Sequence, residues 1–554
     1  MKIINVKSGY LKKSAVAILS VLAMSKSMLA AAEPVTHFSQ GWSSQLRESF
    51  YYTPQGSHMM RADWFAALEQ PDGAGRFGDA AYLEQFGFIR PDGPSDLNPQ
   101  GYPVGFAVEA ATNQLGLTCA ACHTANIDVH GKMLRVDGAP ARLDFDLFYQ
   151  ALVNAVSRTR LDPARFQRFA AALGVKGEDA LEALRADFTA FESRLVADAV
   201  LRKPVLASGF GRVDALTQIV NSLAVRDQGR PDNLYPVAAP TSYPALWLTP
   251  HLEFVQWNPI AASPIARNGG QVLGVFGRTN LAPDAGPNAY SSTMLLKNLS
   301  ELEEWLKILE PPKWDEALMG PIDSTLAAQG EVLFRQHCAS CHNIAPYART
   351  DPAENAFSQT FIRIGRVDYR DVGTDPTYVR NLLSRVIATN PVTSKLFEDK
   401  PIVTAPLFFS GTVAASVRRA IGDAGLTPAE IVALNGYRFR PGADGRPVPY
   451  QPPRLTDMKA SPLAAVWATG PYLHNGSVPS IYELLSPVEE RRAVFWTGGR
   501  ALDLKRLGYE SGDAPGRFRF DTRLPGNGNG GHYFPASGLN HADRMAIIEY
   551  LKTE

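Results

Sequence analysis

Four cysteines carry most of the chemistry this sequence can do. They fall in two copies of one pattern, Cys119-Ala-Ala-Cys122-His123 and Cys338-Ala-Ser-Cys341-His342. C-x-x-C-H is the spacing of covalent c-type haem attachment. Two thiols one helical turn apart add across the two vinyl groups of a haem, and the adjacent imidazole faces the iron from the same turn. Zinc would need four ligands gathered at one place. A redox C-x-x-C pair would not need histidine at the next position in both copies. Two covalently bound c-type haems are therefore expected. No cysteine is left for a structural disulfide or a nucleophilic thiol.

Each haem takes His123 or His342 on one side, and the opposite position decides between electron transfer and chemistry. His474 and His532 follow the second motif, on the side where a second ligand belongs. His532 closes the run Pro525-Gly-Asn-Gly-Asn-Gly-Gly-His532, flexible enough to bring an imidazole over a flat ring, and is the favoured ligand. His474 sits in the stiffer turn from Pro471 to Pro479. It is the alternative ligand, or a contact to the haem carboxylates, and Met458 is a third option. His541 is expected to cap the last helix. Near the first motif, His130 is too close in sequence to reach the other face of a haem, and His251 is the one histidine in an aromatic stretch. An open or water-bound first haem is the expectation.

The elements that must position these residues follow from periodicity. The run Leu326 to His337 puts Val332 or Leu333 with Phe334 on one helical face leading into Cys338. His541 to Leu551 reads as an amphipathic helix with Met545, Ile547, Ile548 and Leu551 inward. A closing helix packed on the opening one covers the haem in a small cytochrome domain, so residues 321–554 read as a C-terminal haem domain. Residues 33–320 read as an N-terminal haem domain. Helical periodicity over Ala164 to Leu173 and Glu178 to Leu201, and a stripe of Leu295, Leu299, Leu302, Leu306 and Leu309, form an insertion that Pro311-Pro312 ends. The fold class is mainly α: two cytochrome c-like haem domains with long loops and a helical and irregular insertion. No strong repeat stands out beyond the haem motif. Residues 231–280 hold Tyr235, Tyr243, Trp247, Phe254, Trp257 and Phe276 among Pro and Gly. Such a segment is either core packing or the wall of an apolar substrate pocket. Trp247, Trp257 and Phe276 are the candidates for a wall near the first haem.

Composition sets the outer limits. Of 554 residues, 55 are basic and 55 acidic, which gives no basic nucleic-acid surface on net charge. Residues 1–32 look like a secretory signal: Lys2, Lys7, Lys12 and Lys13, an apolar core from Ser14 to Met24, and Ala30-Ala31-Ala32 before the cut. Removing this leader removes five lysines and no acid, leaving 50 basic against 55 acidic residues. No later stretch is long and apolar enough to span a bilayer, so the expected product is periplasmic or secreted, without stable membrane insertion.

Several stretches resemble one family. The two motifs, with PYLHNGSVPSIYELL at 471–485, resemble the di-haem cytochrome c peroxidase superfamily. QGW at 40–42, LGLTCAACHT at 115–124, VQWN at 255–258 and FDTRLPGNGNGGH at 520–532 are similar to the branch of RoxA-type rubber oxygenases and bacterial di-haem fatty-acid dioxygenases. Bacterial peroxidases usually place a methionine on the second haem soon after the H-x-G turn. Here none occurs between Met458 and Met545. The resemblance implies an N-terminal haem that binds dioxygen, with His123 as its proximal ligand. It implies a C-terminal haem that handles electrons, held by His342 and His532. The implied substrates are O2 and an apolar, unsaturated chain, either a fatty acid or polyisoprene. A hydrogen peroxide reductase fed by a small electron-donor protein is the alternative, and a non-catalytic electron carrier is a further one.

Overall fold

The two helices that frame the second motif begin where a short polar side chain takes the first free amides. Asp323 accepts from the amides of Thr325 and Leu326 and opens the helix Ser324–His337. Asn540 and Asp543 form a capping box that opens the helix His541–Leu551. Asn540 thus does the capping expected of His541, whose Nδ1 instead lies 2.9 Å from the Tyr482 hydroxyl. The computed structural model describes residues 35–435 and 453–554, apart from residues 74, 263 and 356. The leader at 1–32 lies outside the described residues.

These two helices cross at Gly330. A Cβ there would meet the carbonyl oxygen of Ala546 at 1.9 Å, so only glycine allows the approach. Phe334 stacks beside Tyr550, with ring centres 5.3 Å apart. Phe334 is 1% exposed and Val332 66% exposed, so Leu333, not Val332, shares the inward face. The crossing sets the end of the first helix, and with it Cys338, over the inner face of the last helix.

The first motif is framed differently. Cys119–Cys122 is a single helical turn between the strands Gln114–Leu117 and Thr124–Val129. Thr118 caps the turn, accepting from the amide of Ala120, and its hydroxyl donates to Tyr51 O of the helix Ser44–Tyr52. Gly105 lets the neighbouring chain pass Ala121, where a Cβ would come within 2.3 Å of the backbone nitrogen. The strands belong to two separate three-stranded sheets: Met60–Arg61, Gln114–Leu117 and Phe106–Glu109, and Thr36–His37, Lys132–Asp137 and Thr124–Val129.

The mainly α expectation is met only in part. Helix makes up 42% and strand 14%, so the class is mixed, with the strands in pieces of two or three. The sequence periodicities do mark real helices: Pro163–Ala172, Glu178–Arg202 and Leu296–Lys307. The first two, with Phe145–Leu161, pack around an aromatic core that includes Trp64, Phe166, Phe169 and Phe188. Residues Val35–Glu554 form one compact unit, and its largest apolar cluster draws on residues from Trp42 to Leu551.

Candidate haem sites

Both motif histidines are oriented in the same way. His123 Nδ1 lies 2.8 Å from Pro244 O, and His342 Nδ1 lies 2.8 Å from Ser461 O. A backbone carbonyl can only accept, so each Nδ1 carries the proton and each Nε2 keeps its lone pair for a metal. The two partners lie 121 and 119 residues downstream. Their surroundings also match: Ser242-Tyr-Pro-Ala-Leu-Trp247 and Ser461-Pro-Leu-Ala-Ala-Val-Trp467. The loops touch each other, since the Trp247 indole N–H donates to Ala464 O at 3.0 Å.

The second site is an open cavity of about 350 Å³. Cys338, Cys341, His342, His474 and His532 all line it, together with Tyr243, Trp247, Trp257, Met458 and Lys459. Its size falls within the usual range for cofactor pockets. His532 stands opposite His342, with ring centres 6.0 Å apart and planes at 62°. With metal–imidazole bonds of about 2.0–2.1 Å and roughly 1.1 Å from nitrogen to ring centre, a metal between two rings separates their centres by about 6.3 Å. The donor set and spacing therefore fit a bis-histidine haem on Cys338 and Cys341. Burial, then the neighbouring His342 and Arg491, pushes His532 down to about 4. Burial likewise lowers His342. Both rings are thus neutral at pH 7, as ligation requires.

The glycine-rich loop is held in place from four sides. Arg491 donates to Asn529 O at 2.6 Å, Gly531 O at 2.8 Å and His532 O at 3.3 Å. Asn475 Nδ2 donates to Gly526 O and Gly528 O, and Ser477 Oγ to Gly528 O. Asp375 accepts from the Gly528 amide, and Arg212 donates to Asn527 Oδ1. The His474-Asn475-Gly476-Ser477 turn is therefore chiefly a clamp on the loop that presents His532. His474 itself is 5% exposed, with Nδ1 3.3 Å from Thr374 Oγ1. Burial pushes it down to about 4. Sequence reasoning missed Arg491 and the clamp. Nothing in an arginine 41 residues before the loop's histidine marks it.

Strand pairing completes this site. Gly365–Asp368 runs antiparallel to Asp457–Ala460 and carries the chain to Ser461. A Cβ on Gly365 would meet Cys341 O at 2.0 Å, so glycine lets the strand lie against the motif.

At the first site, burial and then Glu303 push Cys119 up to about 11, while burial and then Cys119 push Cys122 up to about 12. Burial takes His123 down to about 4. These are protonated thiols and a neutral imidazole, not the thiolate of a redox pair. Cys119 Sγ lies 3.2 Å from Gln55 Oε1. Tyr243 is the ring beside His123, with centres 6.3 Å apart. Other histidines are held elsewhere: His58 by Glu109, His251 by Lys307 O and His37 by Asp92. The residues present fit a haem with one histidine on one side.

The aromatic segment divides. Trp247 and Trp257 line the cavity at the second motif, not a separate one over the first. Phe276 packs against Phe145 and Tyr149, with Arg202 over its ring at 5.0 Å. Among the described residues no three His, Cys, Asp or Glu gather as a free-metal site, and no helix is long and apolar enough to cross a membrane.

Residues 458–497, which run through the carbonyl loop and the clamp turn, match a family described as RoxA-like, cytochrome c-like. That match places the segment with RoxA-like cytochromes, and a c-type haem is implied. The uncharacterized protein y4iJ of Sinorhizobium fredii (strain NBRC 101917 / NGR234) is 33% identical, covering 94% of this chain and 93% of its own length. The chain belongs to the same family as that protein. A second protein of that organism, the uncharacterized y4iM, is 25% identical over 61% of this chain and 70% of its own.

Proposed function

We propose that the chain is an exported di-haem c-type oxidoreductase that adds O2 to an unsaturated hydrocarbon chain. One observation carries the reading: the two sites share a proximal arrangement but differ opposite it. His342 faces His532, whereas His123 faces no histidine among the described residues. Haems on Cys119/Cys122 and Cys338/Cys341 would supply one-electron and dioxygen chemistry.

The chain's own groups do the rest. Pro244 O and Ser461 O fix the two imidazoles. The Arg491 and Asn475 clamp holds His532 in place, which suits the second site to electron transfer with little rearrangement. Trp247 joins the two carbonyl loops by its bond to Ala464 O and lies between the sites. Apolar side chains, Trp257 among them, exclude water. An alkene brings almost no hydrogen bonds, so its affinity must come from buried area. Residues 33–320 and 321–554 would each supply one haem. The alternative of a peroxide reductase would equally use an open position on the first haem and would need an electron-donor protein.

Product analysis under air with oleate and with polyisoprene latex tests the proposal. Oxygenated fatty acid or cleaved polyisoprene is the expected result. Peroxide consumption with neither product would replace it by the reductase. Two low-spin haems that ignore carbon monoxide would reduce the chain to an electron carrier.

A further inference from the structure

One cation in the cavity has no partner. Lys459 sits in the strand Asp457–Ala460, its amide donating to Trp257 O at 2.8 Å and its position paired with Arg366. Lys459 is among the residues that line the cavity, beside Trp257, Met458 and Ser461. Among the described residues its ammonium makes no hydrogen bond and no ion pair. The carboxylates of this strand pair, and that of Arg267's partner Glu303, are committed. Glu303 is taken by Arg267 and Asn268, Asp457 by Arg454, and Asp368 by Arg370. Arg267 is itself buried and adds repulsion to the cost of burial, so the Lys459 amine is pushed down to about 8.

Lys459 is half-buried, and once whatever fills the cavity excludes water, an ammonium without a counter-charge is unfavourable; natural sites satisfy such a group with an anion. The walls around it are mostly apolar, so the anion must arrive with whatever fills the cavity. We propose that Lys459 binds a carboxylate inside this cavity. Two sources offer that chemistry: a propionate of the haem carried by Cys338 and Cys341, or the head group of a fatty acid. The first source rests on the haem reading above; the second does not need it.

The experiment uses the full-length mature protein, its Lys459→Met variant and its Lys459→Arg variant. Covalent haem is counted first. A wild-type chain without it would sink the haem reading and leave the fatty-acid arm to be read alone. Redox titration of the second haem then tests the propionate. An unpaired carboxylate favours the more positive ferric state, so the potential should fall in Lys459→Met and hold in Lys459→Arg. Titration with laurate and with methyl laurate, followed by tryptophan fluorescence, tests the head group. Laurate should bind wild type at least about tenfold tighter than its ester, and Lys459→Met should lose that preference. Either result supports the proposal and names the source. An unchanged potential together with no laurate preference overturns it. Should Lys459→Met fail to mature, Lys459→Gln carries both readouts.

Discussion

Gly531→Ala should open the second haem while leaving the chain folded. Gly531 has φ +72°, and a Cβ there would lie 2.4 Å from both Gly373 C and Val372 O. Both obstacles are backbone, so neither can swing away. Ordinary contact starts near 3.4 Å, and the loop must therefore retreat by about 1 Å. A metal–imidazole bond of about 2.0–2.1 Å does not stretch that far. The left-handed backbone costs alanine a further 1–2 kcal/mol or so. The amide bond from His532 to Val372 O, 2.8 Å long, is lost in the same movement. Its loss adds about 0.5–1.5 kcal/mol. Gly530→Ala is the matched control, since its Cβ would meet only Gly373 O, at 3.6 Å. Absorption and paramagnetic resonance spectra should show one high-spin or ligand-accessible haem in Gly531→Ala and native spectra in Gly530→Ala. A native low-spin second haem in Gly531→Ala would refute the reasoning, because the loop would then have a freedom that its packing denies.

His532→Ala should convert the second haem in the same way, whereas His474→Ala should leave it low-spin; reversed spectra would exchange the two roles. Replacing Cys119 and Cys122 by serine should leave one covalent haem on the chain in denaturing electrophoresis, and acid-ketone extraction should release none from wild type. His474 is held near 4 by burial, against 6.5 when free, so the unfolded chain binds the extra proton between those values. Its stabilising contribution is therefore full above about pH 6.5 and is lost as pH falls towards 4, by up to about 1.4 kcal/mol per pH unit. Denaturant melts of His474→Gln should show a shallower fall over that window; an unchanged slope would remove His474 as its source. Trp257→Ala should lower oxygen uptake with an alkene more than it lowers folded yield, and a loss of uptake only in step with melting would make Trp257 plain core.

The haem chemistry was legible because it is local. A thiol pair and an imidazole within five residues point to their chemistry by spacing alone. The helix His541–Leu551 is real, but it is not the amphipathic helix expected, since Arg544 and Glu549 are buried along with Ile547, Ile548 and Leu551. The position of His532 opposite His342 was readable for a similar reason, as a run of glycines has few structural uses other than close approach. What the sequence hid is long-range. Arg491 acts through carbonyls 38 to 41 residues away, and Pro244 O reaches His123 across 121. Carbonyl acceptors have no residue signature. The strands around Cys119–Cys122 were also missed, because each is only four to six residues long and buried on most positions, so alternation is weak. The wall residues were placed by sequence neighbourhood. Trp247 and Trp257 also line the cavity at the second motif, and Phe276 packs beside Tyr149 in an aromatic core that includes Ala121 and Tyr243 next to the first motif.

The two sites differ less in their motifs than in what is brought opposite them. Each motif has the same thiol spacing, the same Nδ1–carbonyl bond at 2.8 Å and a tryptophan a few residues past the carbonyl. The second site is further framed by the loop Pro525 to His532, whose carbonyls bind Arg491, Asn475 and Ser477. Clamping a glycine-rich segment at several points removes the backbone freedom that would otherwise oppose ligation. A second imidazole held in this way closes a haem to exogenous ligands, and its absence leaves one open. On this argument the division of labour between the sites lies in the loop and its clamp. Grafting a histidine near His123 without a comparable clamp would therefore be a poor ligand, whereas loosening the clamp at Arg491 should be enough to make the second site behave like the first.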